Sequence, residues 1–251
     1  MSPINELQQE LQQRIDPKQQ AILQRFFKTA PGEYAEGDIF LGIKVPVLRK
    51  LAKKYRELSL SDIQKLLPNT IHEYRFIALV ILIYQYTQAD SHRQQEIIYF
   101  YLNHTQYINN WDLVDISAPQ LLGNYLLHKP REILYQLAAS PQWWERRIAI
   151  LATFHLIKNH DFTDTLKLAT RLLHDSHDLI HKAVGWMLRE VGKRDLAVEE
   201  TFLQQHYQHM PRTMLRYAIE KFPNEARQFY LKKRITNRKL AVDYSKDEGE
   251  L

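Results

Sequence analysis

Trp111 and Asp115 stand four residues apart in the run Asn110-Trp111-Asp112-Leu113-Val114-Asp115. In a helix that spacing puts an indole and a carboxylate on one face. An anionic oxygen beside an electron-rich ring is suited to stabilising a positive charge. Asn109 or Asn110 can cap the start of such a helix, and Asp112 suits its first turn. Pro119 lacks the N–H that would pair with the carbonyl of Asp115, so a distortion is expected there. The same run also fits a structural role, in which a buried indole lies beside a carboxylate that satisfies turn amides.

A second set lies in His181-Lys182-Ala183-Val184-Gly185-Trp186-Met187-Leu188-Arg189-Glu190-Val191-Gly192-Lys193. Ala183, Val184, Met187, Leu188 and Val191 make one apolar face. Lys182, Trp186, Arg189 and Lys193 line the opposite stripe. A tryptophan among cations fits a surface that stacks on or wraps something anionic, the other reading being an indole partly covered by the next structural unit.

A third set, Trp143-Trp144-Glu145-Arg146-Arg147, opens the apolar run Ile148 to Ile157. Arginines at a helix start are suited to phosphate, because guanidinium and free N–H groups point the same way. Either Arg146 or Arg147 could face inward. His174, His177 and His181, with Asp175 and Asp178 between them, have spacings that could hold zinc. The stretch from His174 to Asp178 reads instead as an interhelix turn, where Asp and Ser act as caps. No metal and no cofactor is expected, and no Walker sequence, dinucleotide loop or serine elbow occurs.

The elements that must carry these residues are helices. The chain of 251 residues holds only 7 glycines and 10 prolines, too few turn residues for a sheet protein, and is rich in Leu, Gln, Lys, Glu and Arg. Breakers fall at Pro68-Asn69, Lys129-Pro130, Ser140-Pro141, His174 to Asp178, Met210-Pro211 and Phe222-Pro223-Asn224, leaving helix-length segments between them. Alanines recur in similar apolar settings at 78, 118, 149, 183 and 218, the last three 34 and 35 residues apart. A degenerate period of this size suits stacked HEAT-like helix pairs, or, without true repeats, an irregular helical bundle. The expected fold is an all-α helical-repeat solenoid with a concave basic face.

With 45% hydrophobic residues the chain can build one large domain or two intimate ones. Residues 1–231 are read as one domain. Residues 232–251, with Lys232, Lys233, Arg234, Arg238 and Lys239 before an acidic end, are read as a charged extension. The absence of cysteine removes disulfides, thiolate nucleophiles and Cys-ligated metals, and fits a reducing compartment. The polar, Gln-rich stretch from Met1 to Gln20 has no signal-peptide core, and no apolar run reaches membrane-span length. A soluble, cytoplasmic protein without a membrane partner is expected. The formal charge of +5 allows a polyanionic partner, but equally an ordinary solvated surface.

Taken together, Trp-Asp-x-Val-Asp at 111–115, the arginines before Ala149-Ile150-Leu151, and His-Lys-Ala-x-Gly-Trp-x-Leu-Arg-Glu at 181–190 resemble the AlkD-like DNA alkylation-repair glycosylases, a HEAT-repeat family. The likeness begins near Phe40-Leu41-Gly42-Ile43 and runs to about Phe222. The resemblance implies that Asp115 takes the place of the catalytic carboxylate. It gives Trp111 and Trp186 the place of two indoles that cradle the lesion nucleotide, and Arg147 that of a phosphate-binding arginine. Lys182, Arg189 and Lys193 are expected to meet the DNA backbone. The implied activity is a monofunctional glycosylase that frees cationic alkylated purines from duplex DNA without flipping the base into a pocket, acting as a monomer. The alternative is a non-catalytic member that binds distorted or branched DNA, and a third class is a scaffold for protein partners.

Overall fold

The computed structural model describes residues 2–232. The extension expected from residue 232 onward lies, apart from Lys232, outside the described residues. Among those described there is no strand, only an isolated parallel bridge between Ile39 and Ile71. Among the described residues no helix is long and apolar enough to cross a membrane. The chain is all-helical and divides into two compact units, Met1–His155 and Leu156–Leu251.

The first unit begins with α1 (Pro3–Gln12), α2 (Pro17–Phe27), α3 (Val45–Lys54) and α4 (Leu60–Leu66). It continues with α5 (His72–Gln88), α6 (Ser91–Leu102), α7 (Trp111–Ser117), α8 (Glu132–Ala138) and α9 (Trp143–Lys158), whose last residues pass the boundary. The second unit holds α10 (Thr163–Arg171), α11 (Asp178–Gly192), α12 (Leu196–His206) and α13 (Arg212–Ala218). Every breaker read from the sequence falls between helices or reaches only the first residue of one. The starts carry the expected chemistry: proline in the first turn of α1, α2 and α3, and side-chain caps from Asp16, Ser59, Asp90 and Asp195.

The longest helices are α5, α9 and α11, and they carry Ala78, Ala149 and Ala183. Those alanines, with Ala118 and Ala218, are fully buried. A methyl side chain there lets neighbouring helices approach closely, which is the packing reason for the recurrence. α5 is apolar on all sides from Phe76 to Leu82 because α3, α4, α6 and α7 surround it. α11 has the single apolar face expected of it, and α10, α12 and α13 cover that face. At Gly185 a Cβ would lie 2.3 Å from the carbonyl oxygen of Met214, so only glycine lets α13 approach so near.

After α7 the chain turns through a π-helical segment, Pro119–Gly123, with Gly123 N–H donating to the Ala118 carbonyl at 2.9 Å. This is the distortion expected from the missing proline N–H. It presents Gly123 to α9, where a Cβ would lie 2.2 Å from the carbonyl oxygen of Ala152. The close approach ties the end of α7 to the helix that carries Arg147.

Candidate active site

Asp115, on α7, meets Arg147 of α9 side-on. Nε of Arg147 donates to Oδ1 at 2.9 Å and Nη2 to Oδ2 at 2.9 Å, with Nη2 also 2.8 Å from Oδ1. The Arg147 side chain is 5% exposed and that of Asp115 18%, so the Asp115 side chain is not fully sealed from solvent. Burial pushes the Asp115 carboxyl above its ordinary range, opposed by Arg147 and reinforced by the nearby Asp112 charge.

Of the two arginines at the start of α9, Arg147 is the one that faces inward. Arg146 instead donates from Nη1 to the carbonyls of Ser140 and Pro141 in the preceding turn. Glu145 accepts from the Thr105 hydroxyl at 2.7 Å, and Trp144 is buried.

Trp111 opens α7, half-buried, one helical turn before Asp115. The Asn110 side chain caps this start by accepting from Trp111 N–H at 2.8 Å. Asn109 is drawn away to accept from Arg75. Phe27 stacks on the Trp111 indole with centroids 5.2 Å apart, and Phe26 meets it edge-on at 5.9 Å. Phe27 in turn stacks on Phe40, and Phe40 on His72. These rings sit far from Trp111 in sequence, and their own stretches carry no signal that would join them to it.

Below the stack is a buried polar cluster. His72 Nε2 is 2.8 Å from Asp112 Oδ2, and its Nδ1 is 3.6 Å from Asp38 Oδ2. Arg75 pairs with Asp38 at 2.7 Å, and Asn110 Nδ2 donates to the same carboxylate at 3.2 Å. Burial disfavours the imidazolium of His72, but Asp112 and Asp38 outweigh it and raise its pKa to about 9. Asp38 is also pushed up by burial, and His72, Arg75 and Asn110 bring it below its usual value.

Trp186, Lys182, Arg189 and Lys193 all belong to α11, in the second unit, whereas Trp111, Asp115 and Arg147 belong to the first. Trp186 is half-buried and donates from Nε1 to Glu190 at 3.2 Å. The cations of its stripe are interleaved with carboxylates. Lys182 pairs with Asp178, Lys193 with Glu190 at 2.6 Å, and Arg189 with Glu220. Glu190 was visible beside Arg189 in the sequence, but Glu220 arrives from 31 residues away. Glu199 lies buried near Arg189, and burial, with a smaller push from Glu200, raises its pKa to about 8 despite that cation.

In the 174–181 stretch, His177 Nδ1 accepts from Leu179 N–H as the cap of α11, and His181 bonds the Asp175 carbonyl. Both histidines therefore serve the interhelix turn, as read from its Asp and Ser content.

An all-helical chain with a guanidinium-held carboxylate one turn from a half-buried indole is a helical-repeat protein with a candidate site for cations. The chain belongs to the DNA alkylation repair enzyme family, whose model matches residues 7–222. A solved structure described as "Predicted DNA alkylation repair enzyme from Enterococcus faecalis" is similar in fold, with a TM-score of 0.66 and 17% identity over 84% of this chain and 98% of that one. No curated protein matches. The family sets the chain's role in the repair of alkylated DNA.

Proposed function

We propose that the protein is a monofunctional DNA glycosylase. It hydrolyses the N-glycosidic bond of cationic alkylated purines, of the 3-methyladenine and 7-methylguanine kind, in duplex DNA and leaves an abasic site. The observation that carries this reading is the partly exposed Asp115, held side-on by Arg147 one turn from Trp111.

A purine alkylated on a ring nitrogen already carries positive charge, so it departs with the bond electrons as a neutral base and needs no proton donor. What remains is an oxocarbenium-like sugar, and a fixed carboxylate lowers the free energy of that cation. Arg147 fixes the direction of the carboxylate and favours its ionised form against burial. Water then adds to the sugar carbon and loses a proton, which Asp115 accepts and passes to solvent. The indole face of Trp111 attracts cationic character in base and sugar alike. Trp186 has the corresponding task on the strength of the resemblance alone. Arg147, Lys182, Arg189 and Lys193 are assigned to the DNA backbone, where the lysines and Arg189 exchange their carboxylate partners for phosphate.

A panel of duplex oligonucleotides, each with one lesion and scored for abasic sites, tests this reading. Cationic purines should be excised, bulky ones included, while uracil and hypoxanthine should persist, because a neutral base is a poor leaving group without a proton donor. Efficient uracil excision contradicts the mechanism. Tight DNA binding with no excision of any cationic purine favours the non-catalytic alternative.

A further inference from the structure

Trp111 is the outer ring of a stack that closes on itself. Its indole lies on Phe27, Phe27 on Phe40 at 4.9 Å, and Phe40 on the His72 imidazole at 4.5 Å. His72 then reaches Asp112, the residue next to Trp111, at 2.8 Å. Four elements take part: α2, the segment before α3, α5 and α7. A cavity of about 220 Å³ borders the stack, lined by Phe27, Phe40, His72 and Asp112 among others. Phe27, Phe40 and His72 therefore lack packing partners on the side that faces the cavity, and the His72–Asp112 contact adds a polar hold to the stack.

We infer that His72 and Asp112 are positioning residues for the Trp111 indole, their ion pair closing the ring of contacts that sets its angle at the start of α7, one turn before Asp115. The inference rests on the proposed glycosylase reading for its catalytic consequence, but not for the geometry. The pair is built for the task. His72 is 3% exposed, and the charges facing it are Asp112 from α7, Asp38 from the segment before α3, and Arg75 from its own helix. Lys44 and the neighbouring Glu73 line the same cavity, and Glu73 accepts from the backbone N–H groups of Leu41, Gly42 and Ile43. With its pKa near 9, the imidazolium is the form present at neutral pH, and the brace weakens as it deprotonates.

The test is ¹⁹F NMR of the full chain labelled with 5-fluorotryptophan, the Trp111 resonance being assigned by Trp111→Phe. In the unaltered chain this resonance should shift with a midpoint near pH 9, the His72 value. His72→Gln and Asp112→Asn should both displace or broaden it at neutral pH and remove the alkaline titration. Single-turnover excision should slow by up to about 100-fold, the scale of a misplaced reacting group, while DNA affinity is kept. Asp112 is partly exposed, so its variant serves even where His72→Gln fails to fold. An unmoved Trp111 resonance in the variants overturns the inference. A wild-type chain that excises nothing sinks the glycosylase reading instead, and the resonance still decides the positioning.

Discussion

Arg147 and Asp115, 32 residues apart in the chain, are joined by two hydrogen bonds of 2.9 Å, so that both carboxylate oxygens are held by one guanidinium. Such a fork fixes direction as well as charge. It has two consequences for the proposed chemistry: the carboxylate is preorganised, and its negative charge is partly shared.

Arg147→Ala should therefore slow excision and destabilise the protein. Removing one partner of a buried pair costs about 3–5 kcal/mol, with the lower end expected here because part of Asp115 reaches solvent. If Arg147 also meets a phosphate, DNA affinity should drop and its salt slope should fall by about one. Urea unfolding together with affinity against salt separates the two roles. A lower rate with an unchanged slope assigns Arg147 to Asp115 alone, and an unchanged rate contradicts its role as the clamp.

The pH profile of excision should report Asp115. Burial raises its carboxyl above the ordinary range and Arg147 opposes the rise. The proposed catalysis needs the ionised form, so activity should be lost as pH falls through the raised pKa. Single-turnover rates should then show an acid limb above the ordinary aspartate value of about 3.9. In Arg147→Ala the limb should move higher still. A limb at the ordinary value contradicts the assignment.

Stability should decline with rising pH because of Glu199 in the second unit. Its folded-state pKa, about 8, lies above the reference of 4.5. A raised folded value means that the contribution is fully present below pH 4.5 and is lost as pH rises through about 8. Glu199→Gln should flatten the fall of Tm across that window, leaving the His72 contribution, which runs from 6.5 to about 9. A Tm profile identical to wild type across both windows contradicts this origin.

The helices were legible because their signals are local. Breakers mark the interhelix turns, the lone apolar face of α11 follows helical period, and Pro119 announces the π segment that it causes. The Trp111–Asp115 spacing was legible for the same reason. Which arginine of the pair 146–147 turns inward was not, since helical phase at a helix start depends on the turn before it. Nor was the support of Trp111: Phe27, Phe40 and His72 lie 39 to 84 residues before it on no common period, and only tertiary packing brings them together. The carboxylate on Arg189 was hidden likewise, because Glu220 belongs to the segment after α13.

The measurement closest to the central claim is the single-turnover excision rate of Asp115→Asn on a duplex carrying one 7-methylguanine, taken with its DNA affinity and melting temperature. Asparagine keeps the shape of the side chain but not the charge proposed to face the sugar cation. The rate should fall by about 10²–10³, the range for removing one transition-state stabiliser, while affinity is retained or improved. A folded Asp115→Asn protein that excises at the wild-type rate contradicts the account.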